Sequence, residues 1–449
     1  MSESEALERE YRASHATSEA LHARGLEYFA ARGATHFTRA RAPFGPYMVR
    51  AEGARKWDVD GHEYIDYVMG HGALMLGHGH PAVVKAVCEQ ALLGIHFGDN
   101  HALEIEWAEL IRELMPSAER VEYFASGQEA NLLAFRLARA ATGRRRILRF
   151  TRHFHGWADE LTAPGAPGAV NEAITVLPPG DLDAVERELV SGEYAAVMIE
   201  GGGAHLSGRI PVAPAFYRAL SALARRHGTV FILDEVVTGF RDTPGGWQAV
   251  VGVRPDLTTL GKAVGAGMPC GVLVGRADLF APLDPSIGAE RLIARGGTWN
   301  AFPLSCAAGI AACRLYRDGA PQRHAAETAA ELRRGANAAL RDLGVSGRVY
   351  GRSICHIYLG PVDADADGDD AEAPTRDWTR LVDPLRAPVY RRLDLELLTR
   401  GVASLRGEAL MFSAAHQAED VAQTVAAFRA ALTAMLEDGA LTATGLVPA

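Results

Sequence analysis

The chain carries 46 basic residues, and only Lys56, Lys85 and Lys262 among them are lysines. Where arginine supplies nearly every positive charge, a retained lysine points to a need for an amine. A lysine with a depressed pKa attacks a carbonyl carbon, whereas an arginine stays protonated and cannot. Lys262 lies in Leu260-Gly-Lys-Ala-Val-Gly-Ala-Gly-Met-Pro269, a stretch too rich in glycine for the interior of a helix or strand. Upstream, the apolar run Thr229-Val-Phe-Ile-Leu233 ends in Asp234-Glu235, the pattern of a buried strand that delivers a carboxylate to its carboxyl end. Open α/β sheets bind their ligands at those ends. Taken singly, Lys262 reads as a surface lysine and Asp234 as a helix N-cap or a metal ligand.

A third segment joins them. Glu122-Tyr-Phe-Ala-Ser126-Gly127-Gln128-Glu129-Ala130 reads as a short strand, a tight turn and the start of a long helix. The free amides and positive dipole end of such a start form an anion site, where Gly127 lets the backbone come close and Ser126 and Gln128 add side-chain donors. Alone, the turn is more often a plain N-cap. An electron-sink cofactor such as pyridoxal phosphate needs a Schiff-base lysine, an acid that keeps the ring nitrogen protonated, and a phosphate cradle. Lys262, Asp234 and the Ser126-Gly127-Gln128 turn supply those three types.

The scaffold that must hold them is legible in outline. From about Pro81 to Cys313, apolar strands alternate with amphipathic helices, as in a mostly parallel sheet covered on both faces. The stretches 195–199 and 230–233 read as strands, with a helix between them starting near Pro214. The opening residues read as a helical arm, followed by a small antiparallel piece from Tyr47 to Gly61. From about Gln322 an Ala-rich helix, the run Val349 to Tyr358 and a helix near 419–436 predict a smaller α+β domain. The expected division is an arm with part of the small domain over 1–75, a large cofactor-bearing domain over 76–321, and a C-terminal small domain over 322–449. The acidic stretch Asp363 to Asp370 reads as an exposed mobile loop, with calcium binding the lesser reading.

Five segments, in this order, resemble the motif series of class III aminotransferases: Phe124-Ala-Ser-Gly-Gln-Glu-Ala130, Arg149-Phe-Thr-Arg-His-Phe-His-Gly156, Leu233-Asp-Glu-Val-Val-Thr-Gly-Phe-Arg241, Leu260 to Pro269, and Gly297-Thr-Trp-Asn-Ala-Phe-Pro303. Within that class the chain is most similar to glutamate-1-semialdehyde aminomutase and its transaminase relatives, from roughly Gly33 to His416. The resemblance implies fold type I, with a mostly parallel seven-stranded sheet in the large domain, and pyridoxal 5'-phosphate as cofactor. It implies that Lys262 forms the Schiff base and shuttles a proton, and that Asp234 pairs with the ring nitrogen. Phe154, ahead of His155 and Gly156, would lie on one face of the ring, with Val236 on the other. Gly127 and Gln128 would hold the phosphate beside Ser126, joined by Thr298 from the neighbouring subunit of a homodimer with shared active sites.

Departures from the family pattern cluster near phosphate and substrate. Relatives show Ser-Gly-Thr where this chain has Ser126-Gly127-Gln128, and Glu-Pro where Glu200 is followed by Gly201-Gly202-Gly203. Phe302 replaces the asparagine of an Asn-Pro pair. For a substrate carboxylate, Arg39 falls on the arginine that the aminomutase uses, and a forked guanidinium suits that task. Arg406 and Glu408 resemble the C-terminal substrate wall of related aminotransferases, and His71 stands where the aminomutase has an active-site tryptophan. The expected reaction moves an amino group between an amino donor and a keto acid or aldehyde, with an intramolecular aminomutase as the alternative. A more distant alternative, a metal-dependent hydrolase, reads His78-Gly-His80, His153-Phe-His155 and Asp234-Glu235 as ligands.

Composition excludes several classes. A formal net charge of -9 argues against a nucleic-acid partner. Nothing in the sequence is apolar over about 18 residues, so no membrane span is expected. The charged, helical start does not read as a signal peptide. Five scattered cysteines match neither a disulfide framework nor a zinc site, and fit a reducing cytoplasm.

Overall fold

Seven strands pair into one sheet: β1 (Arg120–Phe124), β2 (Arg146–Phe150), β3 (Ile174–Leu177), β4 (Tyr194–Glu200), β5 (Val230–Glu235), β6 (Leu257–Gly261) and β7 (Gly271–Gly275). The order across the sheet is β1-β7-β6-β5-β4-β2-β3. Strand β7 runs antiparallel to both neighbours, and the other pairings are parallel. This computed structural model describes residues 3–205, 210–364, 366 and 371–445.

Helices cover the sheet on both faces, which is why its strands read as unbroken apolar runs rather than alternating ones. Side-chain alternation sorts those runs. Ala196, Met198, Ile232, Leu257 and Leu273 pack with Leu133 and Leu137 of helix α1 (Gly127–Thr142). Val197, Ile199, Phe231 and Leu233 pack on the opposite face with Tyr217, Leu220 and Leu223 of helix α2 (Pro214–Arg226). Each Val, Leu, Ile, Phe or Met among them contributes about 1.5–3 kcal/mol on full burial. Helix α2 begins with Pro214 in its first turn, as its sequence predicts.

Two compact units account for the chain. One, containing this sheet, comprises Ala73–Met75 and Pro81–Arg323; the other comprises Met1–Gly72, Leu76–His80 and His324–Ala449. In the second unit, strands Met48–Glu52, Arg55–Asp58, Glu63–Asp66 and Val402–Ala403 form a small sheet, and Gly347–Gly351, Ile354–Leu359 and Ala409–Met411 form another. Asp66 organises the turn after its strand. Its carboxylate accepts the Val68 and Met69 N–H groups and the Lys56 ammonium at 2.6 Å, and meets His78 Nε2 at 2.8 Å. That anchor holds Met69, Gly70 and His71 at φ 45, 59 and 58, a run of left-handed residues that few sequences sustain. Asp363 accepts the Arg376 N–H and the Arg380 guanidinium, while residues 365 and 367–370 of the acidic stretch lie outside the described residues. Among the described residues, no helix is long and apolar enough to cross a membrane.

Candidate active site

Register brings the strand ends together. Asp234 on β5 pairs with Glu200 on β4 and Thr259 on β6; Gly261, the last residue of β6, pairs with Gly271 of β7, which in turn pairs with Phe124 of β1. Lys262, Asp234, Glu200 and the Ser126 turn therefore leave the same edge of the sheet. Gly271 is dictated by this crowding, because a Cβ there would lie 2.0 Å from the Ser126 carbonyl oxygen.

Alternation separates the two adjacent acids. Asp234 shares parity with Ile232 and points to the α1 face, where Asn131 Nδ2 donates to its Oδ2 at 3.0 Å and His155 Nδ1 lies 2.6 Å from the same atom. Burial raises the Asp234 pKa, but the hydrogen bonds from His155, the Val236 N–H and Asn131 outweigh it, and the net shift is downward. Burial also lowers the His155 pKa. The pair is thus an ionised carboxylate with a neutral imidazole whose proton sits on Nδ1. Glu235 faces the other way and is consumed by structure: Thr238, Trp247 and Gln248 all donate to it, and burial pushes its pKa up to about 7.

Lys262 opens a short 3-10 turn and sits at φ 51, the left-handed region. Among the described residues its amine makes no hydrogen bond or ion pair. Burial lowers its pKa, and Asp234 and Glu200 oppose that shift without reversing it. The result is a primary amine with an open lone pair at lower pH than a lysine in water would offer.

The turn before α1 has the makings of an anion seat. Ser126 is the N-cap residue, and its hydroxyl donates to Glu129 Oε2 at 2.9 Å rather than remaining open, because Glu129 lies one turn ahead on the same side. Gln128 differs from the expected phosphate donor as well: its Oε1 accepts the Trp157 and Ala158 N–H groups at 2.7 and 3.0 Å. The first-turn backbone N–H groups and the Gln128 amide nitrogen remain for an anion. Gly127 keeps the seat open, since a Cβ there would lie 2.6 Å from Val236 Cγ2. An open seat for phosphate, an ionised acid for a ring nitrogen and an amine for an aldehyde fit pyridoxal phosphate.

The loop after β2 is pinned on several sides. Glu200 accepts the Phe154 N–H with its carboxylate, while its own backbone N–H donates to His153 Nδ1 at 3.0 Å. Asn131 Nδ2 donates to the His155 carbonyl at 2.7 Å, and Arg149 donates to the Glu160 and Thr162 carbonyls. Phe154 remains 41% exposed on this edge. Asn131 and the Glu200 carboxylate are the site residues that sequence reasoning passed over. Position Asn131 falls on the α1 stripe facing the sheet, and a polar residue in an apolar stripe was the available signal.

Thr298 lies on an exposed segment of the same unit, its carbonyl accepting from His96 Nε2 at 2.6 Å. In the other unit, Thr38 Oγ1 bridges His36 Nδ1 at 2.7 Å and His71 Nε2 at 2.8 Å. Burial, then the charges of Arg39 and Arg406, lower the His36 pKa. Arg406 Nη2 stands 3.5 Å from Glu408 Oε2.

The metal-hydrolase reading fails on geometry. None of His78, His80, His153, His155, Asp234 and Glu235 belongs to a group of three or more candidate ligands among the described residues close enough to share one ion. Among the described residues, His15, Asp58 and His62 alone gather as a possible ligand group. Those groups already bond to one another: His15 Nε2 meets the Tyr64 hydroxyl at 2.7 Å, and that hydroxyl and His62 Nδ1 meet Asp58 Oδ2 at 2.7 and 3.1 Å.

A family model for class III aminotransferases matches residues 37–352. The glutamate-1-semialdehyde 2,1-aminomutase of Sorangium cellulosum is 37% identical over 409 residues, 86% of this chain and 89% of that protein. The structure of an omega-transaminase from Sphaerobacter thermophilus aligns with a TM-score of 0.84 at 33% identity, covering 93% of this chain and 97% of that one. A beta-phenylalanine aminotransferase from Variovorax paradoxus aligns with a TM-score of 0.86 at 30% identity, covering 96% and 97%.

Proposed function

Since the chain belongs to the class III aminotransferase family and uses pyridoxal phosphate, we propose that it transfers an amino group from an amino acid or amine to a keto acid or aldehyde at the strand ends around Lys262. The observation that carries this reading is the placement of an ionised Asp234 and the open Lys262 amine at the ends of adjacent strands. When bound, the cofactor draws electron density away from the substrate carbon that bears the amine. Lys262 Nζ would hold the cofactor at rest and, once displaced by the donor amine, would move the proton on and off that carbon. Asp234 keeps a proton on the ring nitrogen, with His155 and Asn131 orienting its carboxylate. The first-turn amides at Gly127 and Gln128 would seat the phosphate, and Phe154 and Val236 would flank the ring.

The test is a panel of amino donors mixed with the holoenzyme without acceptor. Loss of the visible absorbance, followed by its return on adding a keto acid, is the expected result. A second reading, intramolecular amino transfer, is favoured by the 37% identity to the Sorangium aminomutase. Under that reading glutamate-1-semialdehyde isomerises with no acceptor, and no donor bleaches the enzyme lastingly. His71, Phe302 and Gly201 to Gly203 depart from the aminomutase pattern and support the intermolecular reading.

We assign the substrate carboxylate to Arg39, with Arg406, Glu408 and His71 shaping the same region. Arg39→Ala should raise KM about 10- to 100-fold with kcat little changed, the value of a charge-assisted bidentate contact. Steady-state kinetics with a carboxylate donor and its decarboxylated analogue check it, since the analogue should show no such increase.

The assembly we propose is a homodimer in the cytoplasm, with Thr298 completing the partner's phosphate seat. Exposed Leu92, Leu93, Ile95 and Phe97 lie along one segment, and Trp299, 54% exposed, meets it through a ring contact with His96. Leu93→Asp combined with Trp299→Asp should give a monomer by light scattering that loses cofactor on gel filtration. A wild-type monomer that retains the cofactor would overturn the assignment.

A further inference from the structure

Gln128 occupies the position where family relatives carry a threonine, and its carboxamide is tied at one end. Oε1 accepts both the Trp157 N–H at 2.7 Å and the Ala158 N–H at 3.0 Å. Neither N–H has another acceptor among the described residues. Both residues follow Phe154, His155 and Gly156, the stretch that carries the aromatic ring of the site. Gly156, at φ 135, passes so close that a Cβ there would lie 2.8 Å from Gln128 Oε1. The amide is therefore oriented by what it holds: with its oxygen turned to two N–H donors, its nitrogen is the atom left for an external acceptor. A threonine reaches neither backbone group, its oxygen standing two bonds nearer Cα and being a hydroxyl in place of a planar amide.

We propose that Gln128 is a positioning residue that couples the phosphate seat to the aromatic loop, its oxygen clamping Trp157 and Ala158 while its nitrogen donates to the phosphate of the bound cofactor. This deepens the reading given above and rests on the phosphate lying at the start of α1. Around the loop other anchors act on separate residues: Glu200 on Phe154, Asn131 on His155, Asn171 on Asp159, and Arg149 on Glu160 and Thr162. Gln128 holds the two residues between them, Trp157 and Ala158. The usual threonine would serve the phosphate alone, so this chain has merged two duties in one side chain.

Two variants separate the two duties, with the full-length holoenzyme used throughout. Gln128→Thr restores a hydroxyl near the phosphate but removes the clamp. Hydrogen exchange of a peptide spanning 153–162, read by mass spectrometry, should speed up on the order of tenfold, as expected for two lost hydrogen bonds, while cofactor retention on dilution changes little. Gln128→Glu keeps an acceptor for both N–H groups but sets a carboxylate against the phosphate. Its loop exchange should match wild type, while cofactor dissociation, followed by visible absorbance, should be at least about tenfold faster. Unchanged exchange in Gln128→Thr, or wild-type retention in Gln128→Glu, overturns the proposal. Failure of the underlying reading looks different, since the wild-type chain itself would then bind no pyridoxal phosphate.

Discussion

Lys262→Ala is expected to yield a folded protein that holds pyridoxal phosphate without a covalent bond and turns over about 10^4-fold more slowly, because nucleophile and proton carrier vanish together. Borohydride treatment followed by denaturing mass spectrometry distinguishes the outcomes: the wild-type chain keeps the cofactor mass and the variant does not. A fixed adduct in Lys262→Ala would place the bond elsewhere and end the assignment. Lys262→Arg should be equally inactive, since a guanidinium offers charge without a lone pair. The pH dependence has a defined sign. Burial lowers the amine pKa below its ordinary 10.5, so cofactor loading of the wild-type chain should rise with pH and level off before that value. Between the lowered pKa and 10.5 the unfolded chain binds a proton that the folded chain does not, so the stability of cofactor-free protein rises with pH there. Lys262→Ala should lose that slope.

Asp234→Ala is the second large effect, a fall in kcat of about 10^2- to 10^3-fold, the scale seen when one preorganised electrostatic partner is removed. Asp234→Asn should recover little, because the shape and the Asn131 contact survive while the charge that steadies a protonated ring does not. Rapid mixing with a good donor measures the half-reaction directly; a half-reaction in Asp234→Asn within about threefold of wild type would defeat the role. Glu235→Gln, one residue on, is the control and should leave kcat within about threefold, since its carboxylate faces the opposite side of the sheet. The lowered Asp234 pKa also has a stability consequence. The contribution is complete above the ordinary value of 3.8 and is lost as pH falls through the lower folded value, so Asp234→Asn should flatten the acid limb of the stability curve.

How much of this was readable in the chain depends on the range of the contact. Lys262 stood out because arginine displaced lysine nearly everywhere else, and Asp234 because an apolar run ended on it. Both are local signals, and the fold class followed from strands that are apolar throughout because both faces are covered. What escaped reading is what joins segments distant in sequence. Asn131 meets Asp234 across 103 positions, and Glu200 holds Phe154 across 46. No periodicity encodes such pairs. The hydroxyl of Ser126 illustrates the limit in another way, since its residue type promised a phosphate donor while a glutamate one turn on took the hydrogen. The strands Glu63–Asp66 and Val402–Ala403 were too short to announce themselves, and only their pairing defines them.

At φ 51, Lys262 occupies backbone territory that glycine enters without penalty and other residues enter at about 1 kcal/mol or more. Lys262→Gly would remove both that strain and a poorly solvated amine, giving an inert chain that melts at a higher temperature than cofactor-free wild type. Heredity then works against chemistry at this one codon: a duplicated copy freed from selection gains sturdiness by discarding its amine, and such relics would persist as well-folded, colourless proteins.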